Sequence, residues 1–384
     1  MKTVAIVCEY NPFHKGHKYQ LEQIKKDYGE DTCIASVMSG NYVQRGELAV
    51  LDKFTRAKIA VLEGVSLVLE LPFPYSMQSA EIFASSAIHI ICQAVMPDAI
   101  SFGCENDDKD LFNKVALRLL SDEFNESFAK SAKEKSKQDI GHPKLYESIY
   151  KCLYNDSEGQ KLLRNPNNIL GLEYVKSLIR ENYSAELHTI KRIGASHNQK
   201  LPNENEYASS SAIRNLFFDG QNEKALALLP EFSSELCKNA LENGALPVND
   251  LRLSNAVLAF LRMNPPSNEN IAFDCDGGLA HRLYNSSLEA TDINELITLA
   301  LTKRYTNARI RRAILNLYFG ITSSDVKNLP NYTQVLAMDS KGRKKLKEMK
   351  NHSRIEILTK PADYTSLSDY AKAHAEISNR ADRI

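Results

Sequence analysis

The first 220 residues alternate between short apolar runs and longer amphipathic segments. Residues 4–8 form an apolar run that passes directly into polar residues, and residues 16–26 place Leu21 and Ile24 on one helical face. The same pattern predicts strands at 33–38, 66–71 and 99–102 and helices at 53–62 and 80–94. Strands that alternate with helices in this way predict parallel βαβ units, whose ligands bind at the carboxyl ends of the strands.

The pattern changes after about residue 219, where helical segments follow one another with fewer strand signals. Before that point, a lysine-rich stretch at 106–138 predicts helix and 187–193 predicts a fifth strand. A loop containing Pro202 then leads to a helix that begins near Ser211. Beyond residue 219 the helix candidates are 224–229, 255–261, 293–301 and 309–318.

The length of the chain fits two regions of this kind. A chain of 384 residues is longer than one ordinary core and suits about two domains. We therefore expect an α/β fold, with a Rossmann-like parallel sheet in residues 1–220 and a mainly helical C-terminal domain in residues 221–384.

Charge and cysteine content disfavour several classes of protein. Lys and Arg together number 48, as do Asp and Glu, so any nucleic-acid-binding surface must be local. No apolar run approaches the roughly 20 residues that span a bilayer, and the N-terminus lacks the long apolar stretch of a signal peptide. We predict a cytoplasmic protein without membrane contact. Seven scattered cysteines without a CxxC pair favour neither a disulfide framework nor a zinc site, and no acidic metal motif is evident.

One short motif carries most of the chemical information. Between the first strand and the first helix the chain reads Glu9-Tyr10-Asn11-Pro12-Phe13-His14-Lys15-Gly16-His17. Free backbone N–H groups and the helix dipole favour phosphate at such a turn, and Gly16 removes a side chain where a nucleotide must come close. Attack at an α-phosphate needs positioning and neutralisation of charge, so we predict that His14, Gly16 and His17 are catalytic. The alternative, two surface histidines beside a turn, is disfavoured by the strand and helix that flank them.

A second segment supports a phosphate site. Residues 208–214 read ASSSAIR, which places three hydroxyls at a predicted helix start and Arg214 on the first turn. Serine is common at helix starts, so the hydroxyls alone indicate little. An arginine on that turn can clamp a phosphate, so we add Arg214 to the catalytic residues and Ser210 and Ser211 to the nucleotide-binding residues. The pattern resembles the second signature of nucleotidylyltransferases, Ser-Ser-Thr-x-Ile-Arg, with Ser211 in place of the threonine.

Longer stretches extend this resemblance to a specific family. The opening VAIVCEYNPFHKGHKYQL resembles the tRNA(Met) cytidine acetate ligase family, a branch of the HxGH nucleotidylyltransferases. Matching stretches follow in order along most of the chain: SGNYVQRGELAVLDKFTRAKIA (39–60), LVLELPFPYSMQSAEIFA (67–84), SFGCEND (101–107), NPNNILGLEYVKS (165–177), IKRIGASHN (190–198), ASSSAIR (208–214) and TKRYTNARIRRAIL (302–315). The resemblance implies a nucleotidylyltransferase fold for the N-terminal domain.

The resemblance also implies a reaction. Acetate and ATP give acetyl-adenylate and pyrophosphate, and the acetyl group then passes to N4 of the wobble cytidine of elongator tRNA(Met), giving N4-acetylcytidine. Acetyl-CoA is implied not to be used. We expect Mg²⁺ because the reacting species is ATP, and no obligate protein partner is evident from the sequence.

ATP is implied to bind to residues 7–20, to a glycine after the fourth strand, to one asparagine of the NPNN stretch and to an arginine after the fifth strand. Because either asparagine suits, both are kept. With the two serines, the expected ATP-binding residues are Val7, Cys8, Glu9, Tyr10, Asn11, Pro12, Phe13, His14, Lys15, Gly16, His17, Lys18, Tyr19, Gln20, Gly103, Asn167, Asn168, Arg192, Ser210 and Ser211.

Acetate is already an anionic nucleophile, so its attack on ATP needs no general base. The obstacle is repulsion between two anions, which cationic donors at the site would reduce. The candidate donors are His14, His17, Lys15, Arg45, Arg192 and Arg214. Asn41, Gln44 and Arg45 follow the second strand and are further candidates to face acetate or phosphate.

Local charge indicates where tRNA would bind. Five cations fall within ten residues, and the expected contacts among them are Lys303, Arg304, Arg309 and Arg312, with Arg311 alongside. Arg309 and Arg312 lie one helical turn apart and share a face. A second basic run at 341–347 is diluted by acids, and a solvated helix face explains either run when it is taken alone.

Two other functions remain open at this point. A small-molecule nucleotidylyltransferase would use the same HxGH turn and release pyrophosphate, although the extra helical half argues against it. A nucleotide-sensing or RNA-binding protein would keep the fold without turnover, although intact His14, Gly16 and His17 argue against that.

Overall fold

The computed structural model describes residues 1–135, 142–192, 207–266, 272–276 and 278–383. The strands in these residues are β1 (Thr3–Cys8), β2 (Cys33–Ser39), β3 (Tyr42–Val43), β4 (Glu47–Leu48), β5 (Leu67–Leu71), β6 (Ala99–Cys104), β7 (Glu186–Lys191), β8 (Tyr332–Met338) and β9 (Glu356–Leu358). Seven of them form one sheet in the order β7-β6-β1-β2-β5-β8-β9, and β3 and β4 form a separate hairpin.

Helices make up most of the rest. They are α1 (Lys15–Tyr28), α2 (Lys53–Leu62), α3 (Ala80–Ile90), α4 (Lys109–Leu120), α5 (Asp122–Lys135), α6 (His142–Tyr154), α7 (Ser157–Leu162), α8 (Pro166–Arg180), α9 (Ser210–Phe218), α10 (Asn222–Ala227), α11 (Glu231–Glu242), α12 (Leu251–Met263), α13 (Leu279–Glu289), α14 (Ile293–Ala300), α15 (Asn307–Phe319), α16 (Ser323–Lys327), α17 (Ser340–His352) and α18 (Asp369–Asp382). Helix α3 continues as a π-helical turn (Ile91–Val95), and short 3₁₀ helices occupy Tyr75–Met77 and Pro361–Ser366.

Five strands of the N-terminal part run parallel to one another in the main sheet, and the separate β3–β4 hairpin is antiparallel. The parallel strands confirm the predicted α/β fold. β1 pairs with β2 and β6, β2 pairs with β5, and β6 pairs with β7. Every residue of β2 and β5 is buried, because side chains of helices cover both faces of the sheet. The carboxyl ends of β1, β2, β6 and β7 therefore meet at one edge.

The predicted helices occur with small shifts of their ends. The lysine-rich stretch at 106–138 forms two helices, α4 and α5, and its residues 136–138 lie outside the described residues. Residue 193 of the predicted fifth strand and the loop containing Pro202 also lie outside them. The helix expected near Ser211 is α9, and Ser209 caps it.

The C-terminal part contains two strands that the sequence pattern missed. β8 pairs antiparallel with β5, and β9 pairs parallel with β8, so the chain returns to the sheet after its helical region. β8 was missed because its sequence, YTQVLAM, mixes polar with apolar residues and most of the strand is only half-buried. The division of the chain near residue 220 stays a prediction.

One hydrophobic cluster joins the N-terminal part of the chain to the helical region. It consists mainly of α12, α13, α14 and α15, and it includes Tyr42, Phe73 and Met77 from the N-terminal part. Because Tyr42 belongs to β3, the β3–β4 hairpin packs directly on the helical region. Across the described ranges, no helix has both the length and the apolar character that crossing a membrane requires.

Candidate active site

A cavity of about 300 Å³ opens at the carboxyl ends of β1, β6 and β7. Its walls come from the turn after β1, the start of α1, the β3–β4 hairpin, the end of β6, the start of α8 and the start of α9. The predicted site residues that line it are Val7, Cys8, Glu9, Tyr10, Asn11, His14, Gly16, His17, Tyr19, Gln20, Gln44, Arg45, Gly103, Asn167, Arg192, Ser210, Ser211 and Arg214. The fold thus brings segments far apart in sequence to one place.

The two histidines cap the first helix with their own side chains. Nδ1 of His14 accepts the Gly16 N–H at 3.0 Å, and Nδ1 of His17 accepts the His14 N–H at 3.2 Å. Since each Nδ1 acts as an acceptor, the proton of each neutral ring is assigned to Nε2. No residue of the described part of the chain hydrogen bonds to either Nε2. Both Nε2–H groups are therefore available to a ligand in the cavity.

Burial favours the neutral form of both imidazoles. Burial lowers the pKa of His14 from 6.5 to about 3, and the nearby Arg192 acts in the same direction. Burial, with His14 and Arg192, also lowers the pKa of His17 well below its ordinary value. The expectation that these side chains are cationic is thereby corrected, because they present N–H dipoles and the positive charge comes from arginines.

Packing fixes the orientation of the two rings. The His14 and His17 rings stack with centroids 3.8 Å apart, and Tyr10 packs against His17 at 5.0 Å. Phe13 also packs against His17, with ring centroids 5.4 Å apart. A Cβ atom on Gly16 would lie 2.9 Å from Cε1 of His14, so a side chain there would displace the ring. Glycine is required at position 16 because the His14 ring lies so close to the backbone there.

Arg214 connects the second segment to the first. Its Nη1 donates to the Asn11 carbonyl at 2.8 Å, and its Nη2 donates to Oγ of Ser211 at 3.3 Å. Oγ of Ser209 accepts the Ala212 N–H as the helix cap. Arg214 therefore lies beside the free N–H groups at the start of α9, where a phosphate is favoured.

The structure separates the roles of the two asparagines. Asn168 is 1% exposed, and its Oδ1 accepts the Glu105 and Asn106 N–H groups at 2.9 and 3.3 Å. Asn167 lines the cavity, and its Nδ2 donates to Oε1 of Glu105 at 2.6 Å. Asn168 thus holds the loop after β6, whereas Asn167 faces the space for a ligand.

Gly103 and Arg192 lie together at the ends of β6 and β7. The Arg192 N–H donates to the Cys104 carbonyl at 3.0 Å, and a Cβ atom on Gly103 would lie 3.4 Å from Cγ of Arg192. Both residues line the cavity. Residues 193–198 of the matching stretch at 190–198 lie outside the described residues.

Five of the predicted ATP-binding residues do not line the cavity, namely Pro12, Phe13, Lys15, Lys18 and Asn168. Lys15 donates to the Ala227 carbonyl at 2.8 Å, and Lys18 pairs with Glu63 at 2.9 Å, so neither amine points to the cavity. Asn41, a candidate for acetate or phosphate, also lies outside the lining.

Asn41 belongs instead to a polar network around Lys53. Its Nδ2 donates to Asp382 at 2.9 Å, and its Oδ1 accepts the Lys53 N–H at 2.9 Å. Nζ of Lys53 in turn donates to Glu70 at 2.8 Å. The network ties the loop after β2 to the last turn of α18.

Arg56 is an important residue that no motif indicated. Its buried guanidinium donates to the carbonyls of Leu51, Glu9, Ser39 and Gly40, with distances of 3.0, 2.6 and 3.1 Å to the first three. These bonds fix the ends of β1 and β2 beside the cavity. The available signal was an arginine that shares a face of the 53–62 helix with Ala57 and Ala60.

Arg309, Arg311 and Arg312 of the basic cluster lie on α15, and Lys303 and Arg304 lie in the loop before it. These cations are not equally available to a phosphate. Nε of Arg309 lies 2.9 Å from Asp274, its Nη2 lies 2.8 Å from Asp276, and Nη2 of Arg312 lies 3.9 Å from Asp274. Lys303 and Arg304 are exposed. Two of the four predicted tRNA contacts are therefore already paired with carboxylates.

The hairpin places this helix beside the cavity. A Cβ atom on Gly46 would lie 2.7 Å from the Arg312 backbone nitrogen, so the hairpin packs on α15. The Glu47 carboxylate lies 3.6 Å from Nη2 of Arg214 and 3.7 Å from Nε of Arg311. Glu47 lines the cavity and was not among the predicted residues.

Comparisons with known proteins identify the family of this chain. The family model described as HIGH Nucleotidyl Transferase matches residues 1–384. The tRNA(Met) cytidine acetate ligase of Thermoanaerobacter sp. (strain X514) is 37% identical over 366 residues, covering 95% of this chain and 90% of that protein. The protein of the same name from Thermosipho melanesiensis is 34% identical, covering 94% of this chain and 85% of that protein.

A solved structure is similar across the whole fold. The crystal structure of Thermotoga maritima TmcAL bound with alpha-thio ATP superposes with a TM-score of 0.89 at 29% identity, covering 99% of this chain and 93% of that one. The apo form of that protein gives a TM-score of 0.90. The expected resemblance is thereby confirmed over nearly the full length. The chain belongs to the tRNA(Met) cytidine acetate ligase family, within the HIGH nucleotidyl transferases.

Proposed function

We propose that this protein activates acetate with ATP and transfers the acetyl group to N4 of the wobble cytidine of elongator tRNA(Met), in the cytoplasm. The observation that carries the proposal is the cavity at the strand ends, which two imidazole N–H donors and Arg214 line together. The names of the relatives supply the substrate classes, since they are tRNA(Met) cytidine acetate ligases. The alpha-thio ATP bound to the Thermotoga maritima protein supports ATP as the activating substrate.

In the first step, an acetate oxygen attacks the α-phosphorus of ATP. The new P–O bond forms while the bond to the bridging oxygen breaks, and pyrophosphate leaves with the electron pair. Charge that develops on the equatorial oxygens is stabilised by the Nε2–H groups of His14 and His17. Arg45, Arg192 and Arg214 reduce the repulsion between the two anions, because all three line the cavity.

Mg²⁺ is expected to enter with the triphosphate. No group of three or more His, Cys, Asp or Glu side chains that could hold a metal ion occurs in the described ranges. When bound, the ion would neutralise charge on the phosphates. The residues of this chain supply the hydrogen bonds and the orientation.

In the second step, the acetyl group passes to the cytidine and AMP leaves. The wobble base must be unstacked so that its amino group can reach the acetyl-adenylate. The hairpin packs on α15, and the exposed Lys303 and Arg304 lie shortly before that helix begins. We expect these two side chains to contact phosphates of the tRNA.

One assay tests the proposal against its two alternatives. Purified protein is incubated with ATP, labelled acetate and unmodified elongator tRNA(Met), and label in the tRNA is counted. We expect acetate-dependent labelling that labelled acetyl-CoA does not replace. Pyrophosphate release with a phosphorylated small molecule and no label in tRNA would favour the small-molecule nucleotidylyltransferase. Nucleotide or RNA binding without any pyrophosphate release would favour the non-catalytic protein.

A further inference from the structure

The cavity contains one carboxylate that anion binding does not explain. Glu9 is the residue after β1, lines the cavity and is half-buried. Its Oε1 accepts the Gln44 N–H at 2.9 Å. No residue in the described part of the chain hydrogen bonds to Oε2. One carboxylate oxygen is therefore available in a cavity whose ligands are anions.

The other acids near the cavity have assigned partners. Glu105 binds the Asn167 side chain and the Asn168 N–H at 2.6 and 3.0 Å. Glu47 lies between Arg214 and Arg311. Glu9, by contrast, forms no ion pair within 4.0 Å in the described residues, and the neighbouring Arg214 pairs with Glu47. An unpaired carboxylate in this cavity would repel the anions ATP and acetate. A neutral side chain would bind these substrates better, so the carboxylate is expected to have a chemical role.

The two half-reactions differ in their need for a base. Acetate attacks ATP as an anion and loses no proton. The cytidine N4 amino group is a weak nucleophile because its lone pair is delocalised into the ring. It must lose a proton when it is acylated, and a positioned base accelerates such a step.

Resting on the proposed function, we propose that Glu9 is the catalytic base of the acetyl-transfer step. The N4 nitrogen attacks the acetyl carbonyl carbon, and the C–N bond forms. The bond from that carbon to the AMP phosphate oxygen breaks, and AMP leaves with the electron pair. Oε2 of Glu9 accepts the proton that N4 loses and then releases it to solvent.

The surroundings of Glu9 suit a base. Loss of water around the carboxyl group raises its pKa, while the Gln44 N–H, Arg214, Arg56 and Arg45 act in the opposite direction without cancelling the rise. Cys8, the last residue of β1, precedes it, and burial keeps that thiol protonated by raising its pKa. A carboxylate with a raised pKa accepts a proton more readily than an ordinary one.

The test is Glu9→Gln, which keeps an oxygen for the Gln44 N–H and removes the basic oxygen. Two rates are measured separately: acetate-dependent exchange of pyrophosphate into ATP, and single-turnover transfer of acetyl from enzyme-bound acetyl-adenylate to tRNA. We expect transfer to slow by about 100-fold or more, and by at least about 30-fold more than exchange does. Glu9→Asp should restore part of the transfer rate.

The pH profile provides a readout that a structural role would not change. The wild-type transfer rate should rise with pH as Glu9 loses its proton, at a pH above the ordinary carboxyl range because its pKa is raised. Glu9→Gln should abolish this rise. The matched control is Glu47→Gln, which removes another carboxylate from the same cavity and should retain the rise.

Three results would overturn the inference. Equal loss of exchange and transfer would assign Glu9 to ATP or metal binding. Unchanged transfer, or an unchanged pH profile, in Glu9→Gln would show that the carboxylate is not the base. Absence of acetate-dependent exchange in the wild type would instead overturn the proposed function itself, and this role with it.

Discussion

The nucleotide cavity and the basic helix α15 differ in what holds their functional side chains. In the cavity, His14 and His17 are held by backbone N–H groups through one ring nitrogen, and the other nitrogen stays available. On α15, Arg309 and Arg312 are held by Asp274, whose carboxylate offsets the charge that a phosphate would need. A backbone partner therefore orients a side chain and leaves its other donor available to a ligand. A carboxylate partner competes with an anionic ligand for the same charge.

We expect the largest effect from substitution of the two cavity histidines, His14 and His17. His14→Ala or His17→Ala should slow acetyl-adenylate formation by about 100-fold to 1000-fold, because each removes a donor to the developing charge. Acetate-dependent pyrophosphate exchange measures the effect. Lys26→Ala, an exposed position on the same helix, is the control, and tRNA binding should be retained in all three variants. Exchange at the wild-type rate in either histidine variant would contradict the assigned role.

The same histidines give a prediction about pH. Because burial lowers the pKa of both imidazoles, they are already neutral at pH values well below the ordinary pKa of 6.5. Exchange should therefore not decline as the pH rises through that value. A decline that disappears in His17→Ala would show that the ring acts as a cation.

The next effect concerns an arginine held entirely by backbone carbonyls. Arg56→Met should lower the free energy of unfolding by about 3 kcal/mol, because buried carbonyls of Glu9 and Ser39 lose their donor. Arg45→Met is the control, since Arg45 is exposed on the hairpin. Urea denaturation of both variants measures the difference. Equal stability losses would show that the strand ends do not depend on Arg56.

These contrasts also show how far sequence reasoning reaches. The parallel strands and the HxGH turn were predictable because their signals are local, an apolar run followed by a short motif. β8 and the partners of Arg309 were not, because they depend on residues far away in the chain. Spacing alone cannot tell which arginine of a basic cluster meets an aspartate. The same limit applies to Asn167 and Asn168, whose roles differ although they are adjacent.

Substitution of the adjacent residues Asn167 and Asn168 should have smaller effects, which differ in kind between the two positions. Asn167→Ala should raise the KM for ATP by about tenfold while stability changes by less than about 1 kcal/mol, because it removes a cavity contact. Asn168→Ala should lower the free energy of unfolding by about 2 kcal/mol, since the Glu105 and Asn106 N–H groups lose their acceptor. Exchange kinetics and denaturation are measured on both variants. A larger KM effect in Asn168→Ala would reverse the two assignments.

We expect the smallest effects from substitution of the basic cluster, and they concern tRNA binding. From spacing alone, Arg309→Ala with Arg312→Ala is expected to weaken tRNA binding and flatten its salt dependence. The ion pairs with Asp274 change that expectation. Exposed Lys303 and Arg304 should matter more, and their double alanine variant should weaken binding about fivefold and reduce the salt slope by about one for each lost phosphate contact.

The Arg309 and Arg312 double variant should instead lose stability, because the half-buried Asp274 carboxylate is left without a partner. Filter binding at several salt concentrations, together with denaturation, separates the two outcomes. If the Arg309 and Arg312 variant flattens the salt dependence more than the Lys303 and Arg304 variant, the arginines must leave Asp274 when tRNA binds. Asp274→Asn would then strengthen tRNA binding, because the competing charge is removed.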